Sequence, residues 1–402
     1  MSDLAPAPVE VLRLTSAGLG QIAEGEAVPY VLPGETVSPT GKVLKPSPHR
    51  VTAPCPHFRS CGGCVLQHAS DSFVADWKAE VVRDALSRSG LRGEIAGVVT
   101  SPPGSRRRAK LAGRRTKSGA LVGFHARRTH QIVEIPDCRV LHPSLMMLVP
   151  ALQDLTREIA SRKGEVAYSV TRTANGPDLM IEGGKPLTAP LRQRLAALAE
   201  THSLSRLSYG EEPIASRLPP VQKFGRAEVA PPPGAFLQAT PEGEAALVEG
   251  VRAAVGGARR VLDLFAGSGT FALSLAETAE VQAVEASAPM LGALDHGWRH
   301  ATGLKRVTTL RRDLFRDPLI GPELEGFDAA VVDPPRSGAR AQVEALAASD
   351  IGRVVMVSCA PATFASDARR LVDAGFFMGP VTVVDQFRWS PHIELISAFT
   401  RS

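Results

Sequence analysis

Residues 259–271 read RRVLDLFAGSGTF, a short apolar run followed closely by two glycines. The apolar residues at 261–264 are typical of a buried parallel strand. Gly267 and Gly269 then predict a tight turn into a helix that begins at Thr270. Glycines at such a turn let the backbone approach a nucleotide-like ligand at the carboxyl edge of an open α/β sheet.

Two acidic residues flank this turn. Asp263 precedes it, and Glu285 ends the next predicted strand, in VQAVEA at residues 281–286. In nucleotide-binding sheets an acidic residue at the end of the second strand binds ribose hydroxyls. A glycine turn alone often serves only packing, but the two acidic residues together favour a ligand site.

The composition is that of an ordinary globular protein. The chain has 402 residues, of which 44% are hydrophobic and 22% charged, and this length allows two or three domains. No apolar run approaches the roughly 20 residues that span a bilayer. The N-terminal MSDLAPAPVE also lacks the basic and apolar regions of a signal peptide. We therefore expect a cytoplasmic protein with no membrane attachment, and we take a monomer as the default.

The pattern divides the chain into three domains. Short strands separated by turns predict a small β-barrel or OB-like module over residues 1–50, with an extension packed on a neighbour as the alternative. Residues 51–234 predict a β-rich central domain, and its helix at 71–90 either belongs there or packs on the next domain. Over residues 235–402 strands alternate with helices. That alternation predicts an α/β fold with a doubly wound parallel sheet and an antiparallel addition at its end.

Three closely spaced cysteines lie in CPHFRSCGGC: Cys55, Cys61 and Cys64. In a cytosolic protein such thiols more often bind metal than form disulfides. Cys138, in IPDCRVLHP, is the best candidate for a fourth ligand, so a metal centre would join two distant segments. Four sulfur ligands at uneven spacing favour an iron–sulfur cluster. Zinc, with His57 or His68 as a substitute ligand, is the alternative.

A basic stretch precedes Cys138. Residues 101–130 contain nine Lys or Arg and no Asp or Glu, although the net charge of the whole chain is only +5. Such runs usually form a solvated face. The absence of acidic residues instead favours contact with nucleic-acid phosphates, especially through Arg106, Arg107 and Arg108.

Three polar side chains stand at predicted strand ends of the last domain: Asp333 in DPPRSG, Cys359 in VSCAPATF and Glu394 in SPHIELISAF. The two prolines after Asp333 make a rigid loop that presents its carboxylate. Cys359 precedes a helix, whose N-terminus favours a thiolate, so it is a candidate nucleophile; core packing is the alternative. Glu394 is either a surface residue or a carboxylate placed as a base.

Together these motifs resemble those of the RNA uracil-C5 methyltransferase family, specifically its ribosomal RNA members with a TRAM domain and an iron–sulfur cluster. DLFAGSGTF resembles the cofactor turn of class I methyltransferases, which have a Rossmann-like sheet. DPPRSG and SCAPAT resemble the motifs around the nucleophile, and HIELI resembles that of the general base. FLQAT at residues 236–240 resembles an F-x-Q element, and CPHFRSCGGC with Cys138 resembles a four-cysteine cluster.

The resemblance implies a function and a set of sites. The expected reaction is methylation of uridine C5 in RNA, most simply 23S rRNA, with Cys359 as nucleophile and Glu394 as base. The four cysteines would bind a [4Fe-4S] cluster, and the N-terminal module would be TRAM-like. Six residues would line the S-adenosylmethionine pocket: Gln238, Phe265, Thr270, Glu285, Asp313 and Asp333.

Other functional classes make different demands. A tRNA uridine methyltransferase would use the same site, so the sequence leaves the RNA open. A cytosine-C5 or DNA methyltransferase usually carries its nucleophile after a proline in a different loop. An amino-methyltransferase would have no need of Cys359, and a non-catalytic RNA-binding protein would need neither Cys359 nor Glu394.

Overall fold

The structure, a computed structural model, describes residues 7–23, 26–39 and 41–401. The predicted first and last domains therefore include residues 1–6, 24, 25, 40 and 402, which lie outside the described part. Among the described helices none is long and apolar enough to cross a membrane.

Within its described residues the N-terminal module contains six short strands: β1 (Val9–Glu10), β2 (Arg13–Leu14), β3 (Gly20–Ala23), β4 (Glu26–Val28), β5 (Thr36–Val37) and β6 (Val43–Lys45). They form two antiparallel three-stranded sheets, ordered β1-β5-β6 and β2-β3-β4. The sheets meet where Val11 N–H donates to the Glu35 carbonyl (2.9 Å) and Leu12 N–H donates to the Gln21 carbonyl (2.8 Å). A small β-module was predicted and is present; a closed barrel is not seen within the described residues.

The next two elements are helix α1 (Asp71–Arg88) and strand β7 (Ile95–Thr100). The Ser70 hydroxyl caps α1 by accepting from the Phe73 N–H. Strand β7 does not join the central domain but pairs, parallel, with a strand of the C-terminal sheet. Buried Val82 and Leu86 of α1 pack in the core of that same sheet. The domain boundaries at residues 50 and 234 stay a prediction. Both α1 and β7 lie between these boundaries in the sequence, but they pack with the C-terminal sheet.

The central domain holds the following elements: β8 (Arg108–Arg115), β9 (Ala120–His125), β10 (Ile132–Glu134), α2 (Pro143–Met146), α3 (Val149–Ile159), β11 (Glu165–Thr173), β12 (Gly176–Gly183), α4 (Ala189–Thr201), β13 (Arg206–Tyr209), β14 (Glu212–Ser216), β15 (Gln222–Phe224) and β16 (Ala227–Val229). Seven strands form one sheet in the order β10-β9-β8-β11-β12-β13-β14, and β15 pairs with β16. The sequence predicted one helix where α2 and α3 stand. The break fits Pro150, which has no N–H to donate to the Met146 carbonyl.

The C-terminal domain contains these elements: α5 (Pro241–Val255), β17 (Arg260–Leu264), α6 (Thr270–Leu275), β18 (Glu280–Glu285), α7 (Ala288–His300), β19 (Val307–Arg311), a 3₁₀ turn (Gly321–Leu324), β20 (Ala329–Val332), α8 (Arg340–Ala347), β21 (Arg353–Ser358), α9 (Pro361–Asp373), β22 (Phe377–Met378), β23 (Val381–Asp385) and β24 (Glu394–Thr400). Their sheet has the order β19-β18-β17-β20-β21-β24-β23-β7, with β22 beside β24.

Strand direction in this sheet confirms the sequence-based prediction. Strands β17 to β21 are mutually parallel, whereas β24 runs antiparallel to both β21 and β23. Two buried apolar clusters involve the sheet, one containing residues of α1, α8 and α9 and the other residues of α5, α6 and α7. The sheet is therefore doubly wound, and its strand order reverses between β17 and β20. Ligands of open α/β sheets bind at such a reversal.

Candidate active site

Cys359 and Glu394 face each other across two neighbouring strands. Strand β21 pairs antiparallel with β24, and the last recorded pair is Ser358 with Leu395. One step further in the same register places Cys359 opposite Glu394. Directly opposed residues of antiparallel strands have Cα atoms about 4.5–5.5 Å apart. The fold thus brings the predicted nucleophile and the predicted base together, although 34 residues separate them along the chain.

The surroundings of Cys359 and Glu394 favour the protonated form of both side chains. The pKa of Glu394 is raised to about 8, chiefly by burial and also by the nearby Asp333, while Arg336 and Arg108 act in the opposite direction. Burial also raises the pKa of the half-buried Cys359 thiol, as do Glu394 and Asp333. The charge of Arg336 acts in the opposite direction on the thiol. The contribution of the helix N-terminus to a thiolate stays a prediction.

Asp333 is the third member of this group. It follows β20, the parallel neighbour of β21, and its N–H donates to the Leu264 carbonyl (3.3 Å). Desolvation raises the pKa of its carboxyl to about 7. Since Asp333 lies between the glycine turn and Cys359, it joins the predicted cofactor and catalytic residues into one site.

A cavity of about 420 Å³ opens beside Cys359. Its walls come from three separate parts of the chain. They are Arg13, Thr15 and Gln21 of the β-module, Asp84 and Arg88 of α1, and Arg336, Ala360 and His392 in loops of the C-terminal domain. The Arg336 guanidinium Nη2 lies 2.8 Å from Nδ1 of His392. The N-terminal module thus forms one wall of the cavity that contains the predicted nucleophile.

The glycine turn has the conformation that the sequence predicts. Gly267 and Gly269 have φ angles of 56° and 98°, in the region that side chains rarely adopt. A Cβ at Gly267 would meet no atom within 4 Å, whereas a Cβ at Gly269 would lie 2.8 Å from Leu294. Gly267 therefore faces open space, and Gly269 permits close helix packing. Phe265 also has a positive φ, 66°, which is rare for an aromatic residue.

Carboxylates line the floor of this turn. Asp263 is fully buried, and no described residue makes a well-formed hydrogen bond to either of its oxygens. Burial raises its pKa to about 8; the Ala272 backbone N–H lowers the pKa, and the charges of Asp333 and Glu285 raise it. Glu285 accepts hydrogen bonds from the N–H groups of Gly267 (3.1 Å) and Ser287 (2.9 Å). Its carboxylate therefore fixes the turn.

The other predicted cofactor residues surround the same edge. Gln238 is buried, and its side-chain oxygen accepts a hydrogen bond from Gln386 (2.7 Å). Thr270 is the first residue of α6. Asp313 accepts from the Phe315 N–H (3.0 Å) just after β19. The rings of Phe265 and Phe315 lie 5.3 Å apart and form an aromatic wall there.

The four predicted ligand cysteines line one cavity of about 230 Å³. They are Cys55, Cys61, Cys64 and Cys138. Burial raises the pKa of the Cys64 thiol to about 12, and the charges of the other three cysteines add to this effect. His57 also lines the cavity, whereas the His68 ring packs against Phe58 with a centroid separation of 5.5 Å. Among the described residues, no group of three His, Cys, Asp or Glu side chains converges closely enough to hold a single metal ion.

Several side chains of the basic stretch, residues 101–130, form ion pairs within the protein that the sequence did not predict. Arg107 is buried, its guanidinium pairs with Glu244, and its Nε donates to the Gln238 carbonyl (3.0 Å). Acidic residues from elsewhere in the chain also pair with Lys110 and Arg114. The prediction that Arg107 contacts phosphate is therefore wrong, because its charge is used inside the fold.

Comparison with known proteins shows the family. The chain is 44% identical to a Caulobacter vibrioides protein described as an uncharacterized RNA methyltransferase, over 100% of both chains. It is 30% identical to the 23S rRNA (uracil(1939)-C(5))-methyltransferase RlmD of Pectobacterium atrosepticum, with 98% of this chain and 94% of that protein aligned. The chain belongs to the RNA uracil-C5 methyltransferase family. The family pattern described as tRNA (Uracil-5-)-methyltransferase matches residues 300–401 of this enzyme.

A solved structure supports the methyltransferase fold. The tRNA (uracil-54, C5)-methyltransferase of Pyrococcus abyssi, in complex with S-adenosyl-L-homocysteine, superposes with a TM-score of 0.74. The superposition covers 98% of the enzyme and 99% of that chain at 20% sequence identity. The predicted class I fold is therefore confirmed, and its sheet is mixed, with the antiparallel addition that the sequence predicted.

Two residues of the methyltransferase site were missed by sequence reasoning. Arg336 and His392 line the Cys359 cavity and contact each other, and the charge of Arg336 acts on both Cys359 and Glu394. Both lie inside motifs that the sequence analysis had singled out, DPPRSG and SPHIELISAF. Position next to a predicted catalytic residue was the available signal.

Proposed function

We propose that this enzyme methylates C5 of a uridine in RNA through a transient bond between Cys359 and C6 of the uracil ring. The observation that carries the proposal is the register of β21 and β24, which sets Cys359 opposite Glu394. A nucleophile and a base on adjacent strand ends can act on two adjacent atoms of one ring. The cavity beside Cys359 provides space for that ring.

The residues around the glycine turn fit S-adenosylmethionine. The open space above Gly267 admits a ligand close to the backbone, and the buried Asp263 carboxylate lacks well-formed bonds within the protein. Three carboxyl groups, those of Asp263, Glu285 and Asp333, lie near one another. Such a group suits a ligand with a sulfonium and an ammonium charge, since those positive charges would favour the ionised forms of the carboxyls. We propose that these residues hold it together with Gln238, Phe265, Thr270 and Asp313; when bound, it supplies an electrophilic methyl group.

Cys359 solves the main chemical difficulty of the reaction. C5 of uracil is too weak a nucleophile to take a methyl group directly. When the Cys359 thiolate donates an electron pair to C6, the electrons of the C5–C6 double bond move toward O4, and C5 gains carbanion character. The cavity must take the uracil out of the RNA stack for this attack, because C6 is shielded in a helix.

Glu394 completes the cycle as the base. After C5 has gained its methyl group, the Glu394 carboxylate removes the remaining C5 proton. The electrons of that C–H bond restore the C5–C6 double bond, and the bond between C6 and the Cys359 sulfur breaks. The thiolate leaves, and the product is 5-methyluridine. Arg336 acts on both groups by lowering their pKa values toward the ionised forms that the steps require.

The cysteine cavity supports a [4Fe-4S] cluster as a further proposal. All four thiols line one cavity, and the Arg106 charge lies close to Cys64 and Cys138, where it would balance part of the negative charge of a cluster. Zinc remains the alternative for this cavity, with His57 in its lining as a possible ligand.

We propose 23S rRNA as the substrate, because the RlmD relative is described as acting on it. The experiment compares 5-methyluridine formation in 23S rRNA and tRNA transcripts, by mass spectrometry, with wild-type enzyme and with Cys359→Ser. We expect 5-methyluridine in 23S rRNA only, and none with Cys359→Ser. Product in tRNA alone would replace the substrate. Full activity of Cys359→Ser would overturn the mechanism.

A further inference from the structure

A second cavity, of about 340 Å³, lies on the central sheet away from its apolar core. Small-molecule sites begin at about 300 Å³, so this space is large enough for one nucleotide. Its lining includes three cations and two hydroxyl groups: Arg106, Arg108, Lys110, Ser169 and Thr171. The sequence analysis singled out the basic stretch, but it did not predict a cavity.

Strand alternation places these side chains on one face. Ala109 and Leu111 of β8 pack in the central core, so Arg108 and Lys110 point to the opposite face. The register of β8 with β11 sets Lys110 beside Ser169 and Arg108 beside Thr171. Each cation thus has a hydroxyl neighbour on the adjacent strand, and the two pairs form two rows across the floor of the cavity.

One residue of the cavity also acts on the proposed catalytic base. Arg108 lines the cavity, and its charge also acts on Glu394. The Arg108 guanidinium lies 4.4 Å from the centroid of the Phe236 ring, and its buried Nε has no hydrogen-bond partner among the described residues. The guanidinium has N–H donors besides Nε, and a phosphate oxygen in the cavity would accept from them.

The far end of the cavity carries an exchangeable charge. Lys110 Nζ lies 2.6 Å from an Oε atom of Glu182, and both side chains are largely exposed. Exposed ion pairs contribute little stability, so Lys110 can change partners at small cost. Glu182 is the single carboxylate among the residues that line this cavity, against three cations. The site therefore favours an anion with hydroxyl groups, which describes the phosphodiester and ribose of RNA.

We propose that this cavity binds the phosphodiester and ribose of the single-stranded nucleotide next to the target uridine. The inference rests on the proposed function, since it takes RNA as the substrate. It assigns to Lys110, Ser169 and Thr171 a role in holding RNA that the catalytic motifs do not include. Because backbone phosphate and ribose carry no sequence information, the subsite adds affinity and fixes the path of the strand away from Glu394.

Binding of decauridylate to the full-length protein tests the proposal without using methylation. Lys110→Met should weaken binding and reduce the slope of log K against log salt by about 0.7, the contribution of one phosphate contact in a single strand. The matched control is Lys163→Met, an exposed lysine in the connection between α3 and β11, outside the basic stretch. Equal effects of the two variants would return Lys110 to an ordinary solvated charge and overturn the proposal.

Crosslinking provides a second readout. Decauridylate carrying 4-thiouridine, irradiated with the wild-type protein, should label the peptide that contains Met180, which also lines the cavity. Thr171→Val should reduce this labelling and leave labelling elsewhere unchanged. Labels confined to other peptides would contradict the assignment. A protein that shows these contacts but forms no 5-methyluridine would refute the proposed function alone.

Discussion

At the scale of single residues, the carboxyl groups of the site are set to hold protons near neutral pH. Burial raises the pKa of Glu394 and of Asp263 to about 8 and desolvation raises that of Asp333 to about 7. A base with a pKa close to the working pH accepts a proton and later releases it readily. These values support the assignment of Glu394 as the group that removes the C5 proton.

The raised pKa of Glu394 predicts the pH dependence of the reaction. A carboxyl whose pKa is raised to about 8 is mostly protonated at lower pH, and only its ionised form accepts the C5 proton. We expect kcat/KM to rise with pH through about 8 as Glu394 ionises, and to keep rising above it, because burial also raises the pKa of the Cys359 thiol, whose ionised form attacks C6. The apparent pKa belongs to Glu394, Cys359 and Asp333 together, since their charges interact.

The control for this profile is Glu325→Gln, which removes an exposed carboxylate that does not line the Cys359 cavity. It should leave the profile unchanged, whereas Glu394→Gln should remove most activity at every pH. A wild-type rate that falls as the pH rises toward 8 would exclude a carboxylate base with this pKa.

Arg107 shows how burial overrules a sequence pattern. Its guanidinium is buried and paired with Glu244, so Arg107→Met leaves a buried carboxylate without its partner. We expect the free energy of unfolding to fall by about 3–5 kcal/mol. The salt dependence of RNA binding should not change, because Arg107 does not face solvent. Urea denaturation and salt titrations measure the two quantities; a smaller salt slope with unchanged stability would show the opposite role.

At the scale of elements, the loop between β23 and β24 connects several parts of the molecule. Lys78 of α1 is fully buried, and its Nζ contacts Asp385 Oδ1 (2.5 Å) and donates to the His392 carbonyl (2.9 Å). The Trp389 carbonyl accepts from the N–H groups of Val65 (2.8 Å) and Leu66 (3.0 Å), directly after Cys64. The loop that leads into Glu394 is therefore held by the helix on one side and by the cysteine segment on the other.

Replacement of Lys78 should destabilise the protein, because Lys78 holds the loop between β23 and β24 against α1. Lys78→Met leaves the Asp385 charge buried and unpaired, which should lower the free energy of unfolding by about 3–5 kcal/mol. The double variant Lys78→Met/Asp385→Leu should recover much of the loss, because no isolated charge remains. Urea denaturation measures both.

The exposed pair of Arg83 and Glu80 on the same helix is the matched comparison. Arg83→Met should cost less than about 1 kcal/mol, as for other surface ion pairs. Equal losses for Lys78→Met and Arg83→Met would mean that the buried ion pair does not hold the loop.

At the scale of the whole molecule, the N-terminal β-module, α1 and the region of the C-terminal sheet together line the cavity beside Cys359. The sequence predicted the doubly wound sheet, because strands β17 to β21 are short apolar runs that alternate with helices. It also predicted that Cys359 and Glu394 act together, because both stand in motifs of one family. It could not predict that β7 adds to the C-terminal sheet, since that pairing with β23 joins residues nearly 300 positions apart in the chain.

Partners that are distant in the sequence also decide which charged side chains remain available to a ligand. The sequence of residues 101–130 does not indicate that Arg107 pairs with Glu244 or that Lys110 pairs with Glu182. The wall that the β-module adds to the Cys359 cavity is equally absent from any local pattern. Local periodicity fixes elements, whereas contacts between domains decide which side chains remain available to a ligand.

The cysteine cavity joins the segment around Cys61 to the segment around Cys138, so an inserted cluster would tie the chain together across two separate regions. Protein purified without oxygen should contain about four iron and four sulfide per chain and absorb broadly near 400 nm. The Cys138→Ala variant should lose this iron, whereas its Cys359 thiol should remain available for reaction. A colourless protein with one zinc per chain would show that the cluster assignment is wrong.

The most direct test of the central claim is the mass of the peptide that contains Cys359 after reaction with RNA carrying 5-fluorouridine. Fluorine at C5 cannot leave as a proton does, so Glu394 cannot complete the cycle and the bond between sulfur and C6 persists. We predict a nucleotide adduct on Cys359 that needs the methyl donor and is absent in Cys359→Ser. No adduct, or an adduct on another residue, would contradict the account.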